Sequence, residues 1–141
     1  MSADRLRVVW PEPVERIAAF LRASAVEGRL EELLAGAELP AGQKLRADGF
    51  DAGGAAVVAL VPAGRTVDER KLAAAAGSDD LRPVAAPDFP FPDARVFMDQ
   101  SILSADAVWL EAGSPRHVLG LSPVQIARVT KALTADLLRE G

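Results

Sequence analysis

The chain has 141 residues, of which 50% are hydrophobic, 26% charged and 5% aromatic, so it has the length of one ordinary domain with a core of Ala, Val and Leu rather than large rings. Lys and Arg number 16 against 20 Asp and Glu, and the formal charge of −4 argues against a broad basic surface that grips DNA or RNA by charge alone, leaving only a local basic pocket. With no cysteine and a single histidine, the sequence excludes a disulfide framework, a thiolate nucleophile and Cys-ligated zinc; neither metal nor cofactor is expected.

The N-terminal stretch MSADRLRVVWPEPVE carries charges through its apolar patch, and no apolar run approaches the ~20 residues of a membrane span, so a cytoplasmic protein is expected. From Pro13, Val14, Ile17, Ala18, Leu21 and Ala25 fall at helical spacing, with Glu15, Arg16 and Arg22 off that face. The segment VEGRLEELLAG fits a strand followed by a helical turn, and periodicity leaves a short helix equally open. Two strands are expected at 43–50 and 55–61, joined through Asp51-Ala52-Gly53-Gly54, whose glycines suit a hairpin turn. Thr66 and Glu69 stand at capping-box spacing ahead of KLAAAA, and Gly77 closes that helix. Residues 81–85 read as a brief strand, whereas Pro87, Pro90 and Pro92 in PDFPFPD remove backbone donors and impose an extended loop carrying Phe89 and Phe91. Strands are expected at 95–98 and 108–110 around a polar Asp99-Gln100-Ser101 turn and an Ile102-Leu103 bridge. Gly113-Ser114-Pro115 turns the chain into a strand at 117–121. Ser122, Pro123 and Gln125 then open a helix expected to run nearly to the end, with Val124, Ala127, Val129, Leu133 and Leu137 on its apolar side.

Strands and helices mix without strict βαβ alternation. The expected class is therefore α+β, with a mixed or antiparallel sheet curled around a small core and helices packed outside, in a single domain over 1–141 whose core spans about 13–138.

No Walker loop, nucleophile elbow, HExxH or EF-hand loop is present. Gly53-Gly54 is better explained by a turn than by a phosphate cradle, and Glu31-Glu32 and Asp79-Asp80 by a solvated surface than by acid/base chemistry. Lys44 and Arg46, at alternate positions of one strand, project from one sheet face and suit either a shared phosphate or solvated edge charges. His117 sits beside Arg116 after a Gly-Ser-Pro corner, where a ligand can approach backbone N–H groups, and its alternative is a structural role. Phe89 and Phe91 suit either base stacking or plugging the end of the core, the plug being the simpler reading.

The order of segments is more specific than any one motif. PVERIAAFL, then LPAGQKLRADGF and AVVALVPAGRTVDERKLAAAAG, then Pro90-Phe91, then VFMDQSILSADAVWLEAGSPRHVLGLSPVQI, resembles the YbaK family, stand-alone relatives of the prolyl-tRNA synthetase editing domain, over about 13–130. The resemblance implies a YbaK-like barrel-like fold and a trans-editing aminoacyl-tRNA deacylase, a hydrolase serving translation fidelity. Such an enzyme cleaves the ester between a wrong amino acid and the tRNA 3′ end using neither metal nor covalent nucleophile. It implies catalytic roles for Arg46, in the place of the family's strand lysine, and for His117, Gly113 and Ser114 around the family's pocket histidine. Substrate-binding positions fall on Lys44, Ala47, Phe50, Pro90, Phe91 and Arg116. The partner implied is the aminoacyl-tRNA 3′ end, with neither membrane nor DNA. The family's glycine-rich loop is contracted here to Pro90-Phe91, which keeps a second reading beside the first: a catalytically silent module that binds a tRNA end, a nucleotide or a protein partner.

Overall fold

The computed structural model describes residues 11–26, 28–32, 41–112 and 116–140. Along the chain lie α1 (Glu12–Ala23), β1 (Arg29–Glu32), β2 (Gln43–Ala52), β3 (Ala55–Pro62), α2 (Glu69–Ala76), β4 (Leu81–Val84), β5 (Arg95–Asp99), a 3-10 helix (Gln100–Ser104), β6 (Val108–Glu111), β7 (His117–Leu121), α3 (Pro123–Thr130) and β8 (Leu133–Ala135). The strands form one mixed sheet in the order β1-β7-β6-β2-β3-β5-β8, with β4 added to the far half of β2. Pairing is antiparallel in β1–β7, β6–β7, β2–β3 and β2–β4, and parallel in β2–β6, β3–β5 and β5–β8. The class is the expected α+β, with the sheet wrapped into a curled layer.

Strand β3 shows why the sheet is buried on both faces. Its run Val57-Val58-Ala59-Leu60-Val61 is essentially inaccessible throughout, as an unbroken apolar strand requires. Alternation sends Val58 and Leu60 into a core with Ile17 and Leu21 of α1 and Ile126 of α3. Val57, Ala59 and Val61 enter a second core with Leu72 and Ala76 of α2 and with Leu137 and Leu138. Gly53 and Gly54, at φ 61° and 97°, make the two-residue connection that leaves Ala52 paired with Ala55.

Local signals placed most ends correctly. Ser122 and Gln125 form a reciprocal capping box on α3, and Gly77 closes α2 in the left-handed conformation. For α2, however, the cap is Asp68 rather than Thr66: the Asp68 side chain accepts from the N–H groups of Arg70 and Lys71, while the Thr66 carbonyl accepts from Arg139. Asp68→Ala is expected to cost about 1 kcal/mol of stability, measured by urea denaturation, with Thr66→Ala close to neutral.

Two expectations about the C-terminal third are corrected. The Asp99-Gln100-Ser101 turn is the start of a 3-10 helix, capped when the Asp99 carboxyl accepts from Ser101 N–H. The last helix stops at Thr130, Lys131 turns left-handed, and the tail becomes β8 followed by a bridge between Val67 and Leu138. Its supposed apolar side is accordingly split: Val124 and Leu133 are exposed, whereas the helix buries Pro123, Ile126 and Thr130. The helical period does not persist because main-chain partners outside the helix claim the tail. Leu137 donates to Asp99 at 2.9 Å, and Asp68 donates to the Leu137 carbonyl at 2.8 Å.

Candidate functional site

Strand β2 has different partners along one edge. Gln43 and Lys44 pair with β6, and Gly49 to Ala52 pair with β4, while β3 covers the other edge from Leu45 to Ala52. Among the described residues no strand covers the intervening Leu45, Arg46, Ala47 and Asp48 on the β6/β4 side. Because N–H and C=O groups alternate in direction along a strand, and Gln43 N–H bonds Ala107 of the β6 side while the Lys44 carbonyl bonds Ala63, Leu45 and Ala47 aim their main-chain groups toward the gap. The two flanking strands diverge there, and a cavity of about 640 Å³ opens between them.

The back of the cavity is Lys44 to Ala47, one wall is Leu110 and Glu111 at the end of β6, and the other is the loop 86–91. Ala63 and Gly64 form its rim. Leu45 and Ala47 belong to the core shared with α1 and α3; Lys44, Arg46 and Asp48 point to the opposite face, as alternation demands. The Arg46 guanidinium bonds both carboxylate oxygens of Asp48, at 2.8 and 3.0 Å, and donates to the Arg65 carbonyl at 2.7 Å. The hydrogen bond to Asp48 holds the Arg46 pKa above its ordinary value, against the opposing effect of partial burial. Arg46 is thus a fixed cation that ties the Gly64 turn to β2. Lys44 is exposed and has no ion-pair partner among the described residues, and the same is true of Asp88 and Glu111.

The loop wall is held by aromatic packing and a close backbone approach. Phe89 and Phe91 are buried, meet edge to face with ring centroids 5.7 Å apart, and Phe20 of α1 stands edge-on to Phe89 at 6.2 Å. The plug reading therefore describes them: they close the end of the core and also line the cavity. The Phe89-Pro90 bond is cis. Gly49 allows the segment after β4 to lie flat on β2, since a Cβ there would stand 2.7 Å from Ala86 Cα and 2.8 Å from the Val84 carbonyl oxygen.

Of the residues singled out from the sequence, Lys44, Arg46, Ala47, Phe89 and Phe91 meet at this cavity. Phe50 is buried in the core beneath α2, and Pro90 borders a separate hollow beside α1. Arg116 is exposed at the start of β7. His117 is buried on β7, its Nε2 3.8 Å from a Glu32 carboxylate oxygen, and does not line the cavity; its main-chain carbonyl accepts from Ala112 N–H, directly after the cavity residue Glu111. Gly113 and Ser114 lie outside the described residues. The sequence reading missed Asp48, Gly49, Asp88 and Glu111. Only Asp48 had a usable signal, its position two residues from Arg46 on the same strand face.

Solved structures share this architecture. A "putative trans-editing enzyme for prolyl tRNA synthetase" superimposes with a TM-score of 0.76 at 20% identity, over 94% of this chain and 100% of the other. The hypothetical protein APE2540 gives 0.75 at 16% identity, over 88% and 99%. A scaffold from the computational grafting of linear epitopes gives 0.77 at 20% identity, over 94% and 100%. The likeness is one of fold. No family model matches the chain, and no curated protein matches it in sequence. The neighbours cover nearly the whole chain, and their architecture agrees with the one that the resemblance implied.

Proposed function

We propose that the cavity on β2 hydrolyses the ester of a mischarged aminoacyl-tRNA in trans, as a cytoplasmic aminoacyl-tRNA deacylase. The observation that carries this reading is the exposed main-chain edge at Ala47, set between cations and a hydrophobic loop wall in a fold shared with a trans-editing neighbour. Lys44, with Arg46 beside it, takes the phosphodiester of the terminal nucleotides. A cavity of this size falls within the usual range for small-molecule sites, roughly 300–1,000 Å³, and accommodates a terminal nucleoside with a small acyl group.

The Ala47 N–H is the donor placed for the ester carbonyl. Water adds to the carbonyl carbon and the bond to the ribose oxygen breaks; that oxygen takes one of the water's protons and becomes a hydroxyl, and the amino acid leaves as a carboxylate with the other proton released to solvent. One preorganised donor of this kind contributes about 10²–10³ to such a rate. His117 is a positioning residue in this scheme: its carbonyl holds the residue after Glu111 and so sets the β6 wall.

Incubation with a panel of tRNAs for proline charged with alanine, serine or cysteine is expected to release amino acid faster than buffer alone. Release from none of a wider mischarged panel would overturn the reading. A second reading, binding without hydrolysis, draws on the engagement of Arg46 by Asp48, which leaves Lys44 the more available cation. It predicts affinity for a non-hydrolysable aminoacyl-adenosine with no release from any ester.

A further inference from the structure

The cavity has a charge pattern beyond what phosphate binding needs. Continued past Gln43↔Val108 and Lys44↔Trp109, the parallel register sets Glu111 at the level of Arg46, on the sheet face that carries Lys44 and Arg46; the strands part at that point. Asp88 stands on the opposite wall, where its main-chain carbonyl accepts from Phe91 N–H and so fixes the turn that presents it. Each wall therefore carries an acidic residue that lines the cavity, and Lys44 and Arg46 line its back; Asp88 also borders the hollow beside α1. Neither carboxylate has a hydrogen bond or ion pair with its side chain among the described residues, whereas the nearby Asp48 is fully engaged by Arg46. A site for nucleotide phosphate alone gains nothing from these two acids, because like charges repel.

The geometry points to recognition of a free α-ammonium: Asp88 and Glu111 hold the amino group of the aminoacyl ester while Lys44 and Arg46 hold the phosphodiester end. This rests on the deacylase reading and narrows its substrate to aminoacyl esters with an unblocked amine, excluding N-acylated and peptidyl esters. The two charged ends of the substrate match the two signs in the cavity, and the ester between them is brought to Ala47. A blocked amine leaves two carboxylates facing an uncharged amide, so discrimination comes from lost charge pairing as well as from bulk.

The test compares alanyl-tRNA with N-acetylalanyl-tRNA as substrates for the wild type, Asp88→Asn, Glu111→Gln and the double variant, with melting temperatures to confirm that these exposed positions leave the fold intact. The wild type is expected to hydrolyse the free-amine ester at least tenfold faster, relative to buffer, and the double variant to lose that preference. Equal hydrolysis of both esters by the wild type, or a preference unchanged in the double variant, overturns the ammonium site while leaving the deacylase reading standing. Hydrolysis of neither ester counts against the deacylase reading instead. In that case calorimetry with 3′-alanylamino-3′-deoxyadenosine and its N-acetyl form decides the ammonium site: at least tenfold weaker binding of the acetylated form supports it, and equal binding or none overturns it.

Discussion

Asp99→Ala is expected to destabilise the protein by about 3 kcal/mol, a fall of roughly 10 °C in melting temperature for a domain of this length. Asp99 is 2% exposed. Its carboxyl accepts from Ser101 N–H at 3.0 Å, from the Ser101 hydroxyl and from Leu137 N–H at 2.9 Å. The last bond joins residues 38 positions apart and is buried, so its loss leaves a main-chain donor without water to replace the oxygen. The same substitution uncaps the 3-10 helix and frees the tail that completes the core under α2. Asp99→Asn keeps one acceptor oxygen and the volume, and is expected to fall between wild type and alanine. Guanidinium unfolding measures both. A loss under about 0.5 kcal/mol for alanine would show that β5–β8 pairing and the Asp68 and Thr66 bonds hold the tail unaided.

Gly49→Val is expected to cost the largest share of activity for any single substitution away from the cations, about 100-fold in deacylation or an equivalent loss of ligand affinity. The first atom added at Gly49 would already stand 2.7 to 2.8 Å from main-chain atoms of Val84 and Ala86, and backbone cannot swing aside as a side-chain tip can. The segment after β4 must lift, carrying the 86–91 wall away from Ala47. The accompanying stability cost of overpacking is about 2 kcal/mol, so rates are compared well below the melting temperature of each variant. Gly49→Ala makes the same first clash without the branched methyl groups and is expected to be intermediate. A valine variant with wild-type rate and melting point would mean that the loop yields freely and does not form a fixed wall.

The legible parts of the fold were those with local chemistry. A continuous run of β-branched and aliphatic residues identified β3, paired glycines the hairpin, and Ser-Pro-x-Gln the start of α3. The illegible parts were decided by distant partners. The 66–69 spacing looked like a capping box, yet the Thr66 carbonyl is engaged by Arg139 and the cap passes to Asp68. Residues 131–138 kept an apolar rhythm compatible with a helix, but Asp99 and the 66–68 segment draw them into extended structure. At the site, alternation on one strand was enough to place Lys44 and Arg46 together, because that relation is internal to β2. It had no means of placing Glu111 and Asp88 beside them: β6 and the loop after β4 reach β2 only through parallel pairing and the close approach at Gly49.

Composition and short-range periodicity were enough for the class of fold, the core strand at 55–61 and the absence of any thiolate. Tertiary structure alone decided where β2 is left uncovered, which acids join its cations, and that Phe89 and Phe91 seal the core as they wall the cavity. An opening in a sheet is a disagreement between the paths of two neighbouring strands. No single segment of the chain contains it.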